Sequence, residues 1–375
     1  MSTSSYDIAV VGAGIIGLAT AHAARQRGKR VVVIDREAHA VGASVRNFGF
    51  VTVTGQQRGT HWARAKRSRD VWLEVGPKAG VDVLHRGLVV VGRRPEAGEV
   101  LSAFLETEMG EGCRLIDTRE AREHVPSLRA DDAAAILYSP HEARVESKDA
   151  VPRLAAWLEE SQGVTFLRNT QVHAVEDGRL ETSRGTIEAG GVIVCPGDDL
   201  KSLFPDRLRA AGLRVCTLQM LRVAPQVPTR LGAAVMSDLS LVRYEGYAAL
   251  PQARALRGVL DREQADELAA GIHLIAVQSA DGSLVVGDSH VYGEAPEPFA
   301  SERVDNLILG ELDRVLDLPG RQVVERWTGT YASADDVILF DRPSDAVRLL
   351  VVTGGTGAST AFALGEEVVA DLLDS

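Results

Sequence analysis

Hydrophobic positions along this chain fall first into short unbroken runs and later into alternating ones. YDIAVV (6–11), KRVVVIDR (29–36), GGVIVCPG (190–197) and VRLLVVT (347–353) are mostly apolar, the pattern of strands buried on both faces of a parallel sheet. Between the first two, IIGLATAHAARQRG (15–28) repeats small and apolar residues at helical spacing and stops at Gly28, where a helix C-terminus favours glycine. Together these segments predict a βαβ unit. Further helices are expected at about 59–79, at about 95–109, in DTREAREHVPSL (117–128), over 147–162 with Ser147 as N-cap, in SERVDNLILGELDRVLDL (301–318), and in AFALGEEVVADLL (361–373).

Strands are expected in GLVVVGR (87–93), VTFLRN, TQVHAVEDG and GTIEA (164–189), and the β-rich stretch 213–292, with QVVERWTGTYA (322–332) to follow. That stretch contains LRVCTLQMLRVA, LSLVRYEGYAAL, IHLIAVQSA and SLVVGDSHV, with ADGS (280–283) as a hairpin turn. The parallel-type segments stand at the two ends and the middle, and the β-rich ones lie between them. The fold expected is therefore α/β, a Rossmann-like domain interleaved with an antiparallel β-rich α+β domain. The boundaries are 1–80 with 147–212 and 323–375 for the first, and 81–146 with 213–322 for the second.

Length agrees, since 375 residues exceed the roughly 250–300 that one core supports. A net charge of −11 argues against nucleic acid as a partner. The three cysteines, Cys113, Cys195 and Cys216, form no CxxC pair, so neither a disulfide framework nor a metal site is expected. No apolar run is long enough to span a bilayer, and MSTSSYD lacks a basic and apolar leader pattern. A cytoplasmic protein without membrane attachment is the expectation. The basic run Arg64, Lys66, Arg67 and Arg69 reads as a solvated face, and Trp62, Trp72 and Trp157 read as helix core.

The chemistry-bearing signal is Gly12-x-Gly14-x-x-Gly17, placed between strand and helix, with Asp35 ending the next strand. Glycines there permit a tight turn and close approach of a pyrophosphate, and the acid accepts ribose hydroxyls. Three further turns favour FAD over NAD: Gly42-Ala43-Ser44, Gly197 after VIVCP, and GGTGAST (354–360) before the last helix. The last would bring backbone N–H groups to the isoalloxazine ring. The late turn has Thr360 where a third glycine would stand, and no second dinucleotide unit follows. Electrons are thus expected from an organic substrate, leaving to oxygen or another acceptor.

With these motifs the chain resembles the D-amino-acid oxidase family of flavoproteins, which includes glycine and sarcosine oxidases. Trp327-Thr328-Gly329 matches that family's W-x-G. GASVRNFGFVTVTGQ (42–56), SPHEARV (139–145), GIHLIAVQSADGSLVVGDSHVYG (271–293) and YASADD (331–336) look like a subgroup linked to phosphonate catabolism. The resemblance implies non-covalent FAD, because Arg46 stands where relatives with covalent flavin carry histidine. It places the cofactor along Gly12, Gly14, Ile16, Gly17, Asp35, Arg36, Ser44, Arg46, Asn47, Val172, Gly197, Gly354, Gly355, Gly357, Ser359 and Thr360.

The subgroup implies oxidation of 2-aminoethylphosphonate or its N-methyl derivative by hydride transfer to flavin N5, with imine hydrolysis to phosphonoacetaldehyde. Many relatives carry an arginine for the substrate carboxylate shortly after W-x-G; here Thr330-Tyr331-Ala332 stands instead. Arg46, Arg243, Tyr244, His273, His290 and Tyr331 are the candidates for an anionic amine, with Gln278 nearby in sequence. Glycine, sarcosine or a D-amino acid as substrate, a dehydrogenase using another acceptor, and a non-catalytic flavin protein are the alternatives.

Overall fold

The apolar runs at the two chain ends and the middle meet in one parallel sheet. In the computed structural model, which describes residues 6–374, the order is Thr165–Leu167, Val31–Ile34, Tyr6–Val11, Gly185–Val194 and Val347–Gly354. Residues 1–5, on which the leader reading rests, lie outside the described residues. The central segments 8–10, 31–34, 191–194 and 347–351 are buried on both faces, which is why their sequences do not alternate. Helix Ile15–Gln26 packs against the last helix, Gly357–Leu373. Their approach needs Gly365, where a Cβ would lie 2.8 Å from the Ala19 backbone. Thr60–Lys78 lies on the same last helix. Trp72 Nε1 donates to the Ala358 carbonyl at 2.8 Å, and Ser68 Oγ accepts from the Ala363 N–H at 3.0 Å.

The sheet does not stop at its parallel part. Val347–Gly354 pairs antiparallel with the 23-residue strand Gln322–Ser344, which pairs in turn with Arg214–Ala224. From there the order continues through Leu284–Gly287, Ile275–Gln278, Ala234–Ser237 and Val83–Gly92 to Ala135–Val145. The hairpin expected at ADGS is present, with Gln278 opposite Leu284. This part departs from the antiparallel expectation at one place, since Ala234–Ser237 runs parallel to Val83–Gly92. A large apolar core lies under it, and two others flank the parallel strands.

Several expectations are corrected. LSLVRYEGYAAL is not a strand. The strand Ala234–Ser237 ends before it, and a 3₁₀ turn over Asp238–Val242 leads into the short helix Glu245–Ala248. Ser240 explains the change, since its carbonyl accepts from the N–H groups of Arg243 and Tyr244 and its Oγ donates to Leu274 O. Helices Ala253–Glu263 and Ala265–Ala269 follow within the stretch read as β-rich. GTIEA and GGVIV form one strand rather than two. Ser147 is not the N-cap of its helix; Glu146 is, and Ser147 Oγ donates to Asn47 Oδ1 at 2.7 Å.

Trp72 is core, whereas Trp62 and Trp157 are only partly buried. The basic run is paired, and of its four residues Arg67 is exposed while Arg64, Lys66 and Arg69 are half-buried. Arg64 and Arg67 bind Glu367 and Glu366 of the last helix, while Lys66 and Arg69 meet Glu111 and Asp70. Among the described residues all three cysteines are free, and no helix is long and apolar enough to cross a membrane.

Candidate functional site: a dinucleotide cleft ending in a polar chamber

The first strand leaves the sheet at Gly12, whose φ of +105° is a left-handed conformation unsuited to other residues. A Cβ at Gly12 would also sit 2.4 Å from the Cys195 carbonyl oxygen, and one at Gly17 would sit 1.8 Å from that of Gly12. The turn is therefore packed to backbone contact on two sides. Asp35 braces it: Oδ2 accepts from Ala13 N–H at 2.6 Å, and Oδ1 accepts from Glu37 N–H at 2.8 Å. Ser44 Oγ accepts from Ile15 N–H at 2.9 Å. The helices beginning at Ile15 and Gly357 both lack a side-chain hydrogen bond from their N-cap residues, Gly14 and Thr356. Their first-turn N–H groups suit an anionic ligand.

Two cavities meet at this turn. The smaller, about 180 Å³, is bordered by Gly12, Asp35, Arg36, Val172 and Gly197. The larger, about 550 Å³, is bordered by Ile16, Gly17, Arg46, Asn47 and the turn Gly354, Gly355, Gly357 and Ser359. Gly14, Ser44 and Gly197 line both. A long ligand with a pyrophosphate in its middle fits that shape: a nucleoside in the small cavity, phosphates at the shared glycines, and a ring system in the large one. The polar groups match FAD, with a carboxylate at the ribose end and two helix N-termini without N-cap side-chain hydrogen bonds in between.

Of the residues expected on this path, Thr360 is the exception. It is fully buried, borders neither cavity, and its Oγ1 donates to Thr356 O one helical turn back. Arg36 is ion-paired to Asp199. Asn47 spends its amide on the loop itself, with Nδ2 donating to Ala43 O and Oδ1 accepting from Gly49 N–H. Arg46 lends its carbonyl to Trp327 Nε1 at 3.1 Å, which ties the W-x-G segment to the cavity rim.

The far end of the larger cavity gathers Arg243, Tyr244, His273, His290 and Tyr331. Gln278, on the same lobe, is not there; it binds Thr229 O, Gly282 O and Leu231 N–H and so holds the hairpin. Arg243 Nη2 reaches the Tyr292 hydroxyl at 2.9 Å and that of Tyr331 at 3.4 Å. The Tyr331 ring lies against the turn that opens the last helix, since a Cβ on Gly355 would be 3.3 Å from its Cζ.

Sequence reasoning did not single out Asp288 and Tyr292. Asp288 Oδ1 is 3.1 Å from His273 Nε2, and Oδ2 is 3.7 Å from His290 Nε2. Its only advance signal was an acid directly after the buried strand SLVVG, a place where a charge needs a reason. Burial raises the Asp288 carboxyl to about 7, although Arg243 opposes the rise. Burial, then the charge of Arg243, holds His290 down to about 3, and burial keeps His273 well below its usual range. Both imidazoles are therefore neutral near pH 7. The Asp288, His273 and His290 side chains offer atoms within 4.8 Å of one another, a spacing a metal would accept. The Arg243 guanidinium, always protonated, opposes a cation there.

The parallel sheet with its glycine turn, the double cavity and the helix N-termini at it define a dinucleotide-binding flavoprotein. The chain belongs to the FAD dependent oxidoreductase family, which it matches over residues 7–372. It is similar to glycine oxidase of Geobacillus kaustophilus, 26% identical over 216 residues, covering 52% of this chain and 55% of that protein. It is also similar to monomeric sarcosine oxidase of Streptomyces avermitilis, 28% identical over 221 residues and covering 54% of each. The chain thus spans about half the length of the curated relatives it matches. The crystal structure of the Geobacillus kaustophilus glycine oxidase superposes with a TM-score of 0.78 at 19% identity, covering 99% of this chain and 95% of that one. That likeness is one of fold.

Proposed function

We propose that this protein is an FAD-dependent amine oxidoreductase of the glycine and sarcosine oxidase type, acting on a small amine that carries an anionic group. The observation behind the substrate class is Arg243. Its guanidinium lines the larger cavity, held by two tyrosine hydroxyls, and among the described residues no carboxylate lies within ion-pair distance of it. A cation so placed costs desolvation unless an anion joins it.

Bound FAD supplies the acceptor for a hydride equivalent from the carbon bearing nitrogen. The protein's part is placement: Arg243 fixes the anionic tail, and Tyr331 packs against the turn at Gly355 and shapes the wall opposite. Holding the reacting C–H in register supplies much of the rate in such a site. Asp35, Ser44 and the glycine turn would hold the nucleotide half of FAD without a covalent link.

The named relatives support glycine or a small N-methylated amine over an aminophosphonate. What keeps the aminophosphonate as a narrower second reading is Tyr331, a neutral hydroxyl next to Arg243 where an arginine was expected from the resemblance. An oxygen-uptake and peroxide assay with glycine, sarcosine, D-alanine, 2-aminoethylphosphonate and its N-methyl derivative separates these. Turnover of the carboxylates is the expected result. Turnover of the phosphonates alone moves the reading to the second form, and dye reduction without oxygen uptake makes the protein a dehydrogenase.

A further inference from the structure

We propose that Asp288 is the proton acceptor for the ammonium group of the substrate, with the neutral ring of His290 facing it. The inference rests on the amine-oxidising reading above. A protonated amine has no free electron pair to form the C=N bond, so the cavity must take a proton before the carbon can lose its hydride. The step is a simple transfer. An N–H bond of the substrate ammonium breaks, an O–H bond forms on the Asp288 carboxylate, and the electron pair stays on nitrogen. When product leaves, water takes the proton back.

Three features of the geometry point to this residue. Asp288 borders the larger cavity together with Arg243, so an amine whose anionic tail rests on Arg243 has its nitrogen within the same chamber. The carboxylate is buried, and Oδ1 finds no hydrogen bond of good geometry. His290 faces it with a fixed tautomer. The Nδ1 of His290 lies 2.8 Å from the Gly271 carbonyl, which obliges Nδ1 to carry the ring proton and leaves Nε2 bare toward Asp288 Oδ2. At 3.7 Å from Oδ2 that bare nitrogen is too far for a direct hydrogen bond, and it offers the carboxylate no N–H to stabilise its charge. The electrostatics agree, because burial already brings the Asp288 carboxyl to about 7.

Other groups bear on it from every side. Arg243 and Tyr244 come from the junction after the 3₁₀ turn, His273 from the approach to Ile275–Gln278, and Cys216 from Arg214–Ala224. Tyr292 and Tyr331 come from strands Val291–Gly293 and Gln322–Ser344. Arg243 is the cation among them, and its charge keeps the ionised, proton-accepting form of Asp288 accessible.

The test is anaerobic flavin reduction in the holoenzyme, followed across pH for wild type and Asp288→Asn with the best amine of the panel. Wild type is expected to lose rate about tenfold per pH unit below about 7. The D288N variant is expected to be about 100-fold slower or worse near neutrality, and to recover as pH nears the amine's own pKa of about 10. A merely structural role would lower the rate equally at every pH, and two parallel profiles overturn the inference. Should D288N fail to retain FAD, the wild-type profile decides, and a rate flat from about pH 6 to 8 overturns it. Stoichiometric zinc or iron in the purified protein, removed with the activity by chelation, overturns it as well. No bleaching of wild type by any amine instead sinks the amine-oxidising reading itself.

Discussion

Arg243 and Asp288 border one chamber, yet no ion pair joins them, and burial keeps the Asp288 carboxyl partly protonated near neutral pH. A substrate with both an anion and an ammonium would separate and satisfy the two. Removing the cation by Arg243→Ala should raise KM about 10- to 100-fold, the value of a charge-assisted hydrogen bond, with a smaller effect on kcat. Arg243→Lys should restore part of it, and the flavin absorbance ratio should not change in either variant. Asp288 has a second consequence. Its folded carboxyl titrates at about 7 against an unfolded value of about 3.9, so stability is lost as pH rises between those values. Asp288→Asn should therefore stabilise the protein at pH 8, by at most about 4 kcal/mol, and hardly at all at pH 4. Thermal melts at the two pH values read this directly; an equal shift at both would contradict it.

At the scale of elements, the last helix sets the position of the cavity wall. Trp72 is buried and hydrogen-bonded to Ala358, inside the segment that borders the larger cavity. Trp72→Ala should cost about 3–5 kcal/mol and loosen that turn, seen as a lower melting midpoint with faster FAD release on dilution. The glycine turn, its flanking strands and Asp35 were legible in sequence because local spacing alone specifies them. The stretch around Arg243 was not. LSLVRY alternates well enough for a strand, but strand pairing ends at Ser237 and Ser240 closes a 3₁₀ turn, a choice set by packing. Thr360 stands at the third-glycine spacing but falls on the buried face of the last helix, where its hydroxyl donates to Thr356 O. Asp288 was overlooked since its meaning depends on His273, His290 and Arg243, which arrive from separate segments that periodicity cannot bring together.

Over the whole molecule, one sheet runs from the parallel strands that carry the nucleotide turn to the antiparallel strands that carry the polar chamber. The long strand Gln322–Ser344 is the joint, and both Trp327 and Tyr331 lie on it. The cofactor cleft and the chamber therefore share a rigid support, which suits a reaction that needs its C–H held at a fixed place. This cleft is thus expected to hold FAD, and the chamber to present a small anionic amine to it. The most direct measurement of both is the visible spectrum of the purified protein under anaerobic titration with glycine, sarcosine and the aminophosphonates. The prediction is a flavin released intact by denaturation, whose absorbance near 450 nm is bleached by at least one of these amines and restored by air. A protein that carries no flavin, or one that stays fully oxidised with every one of them, would contradict it.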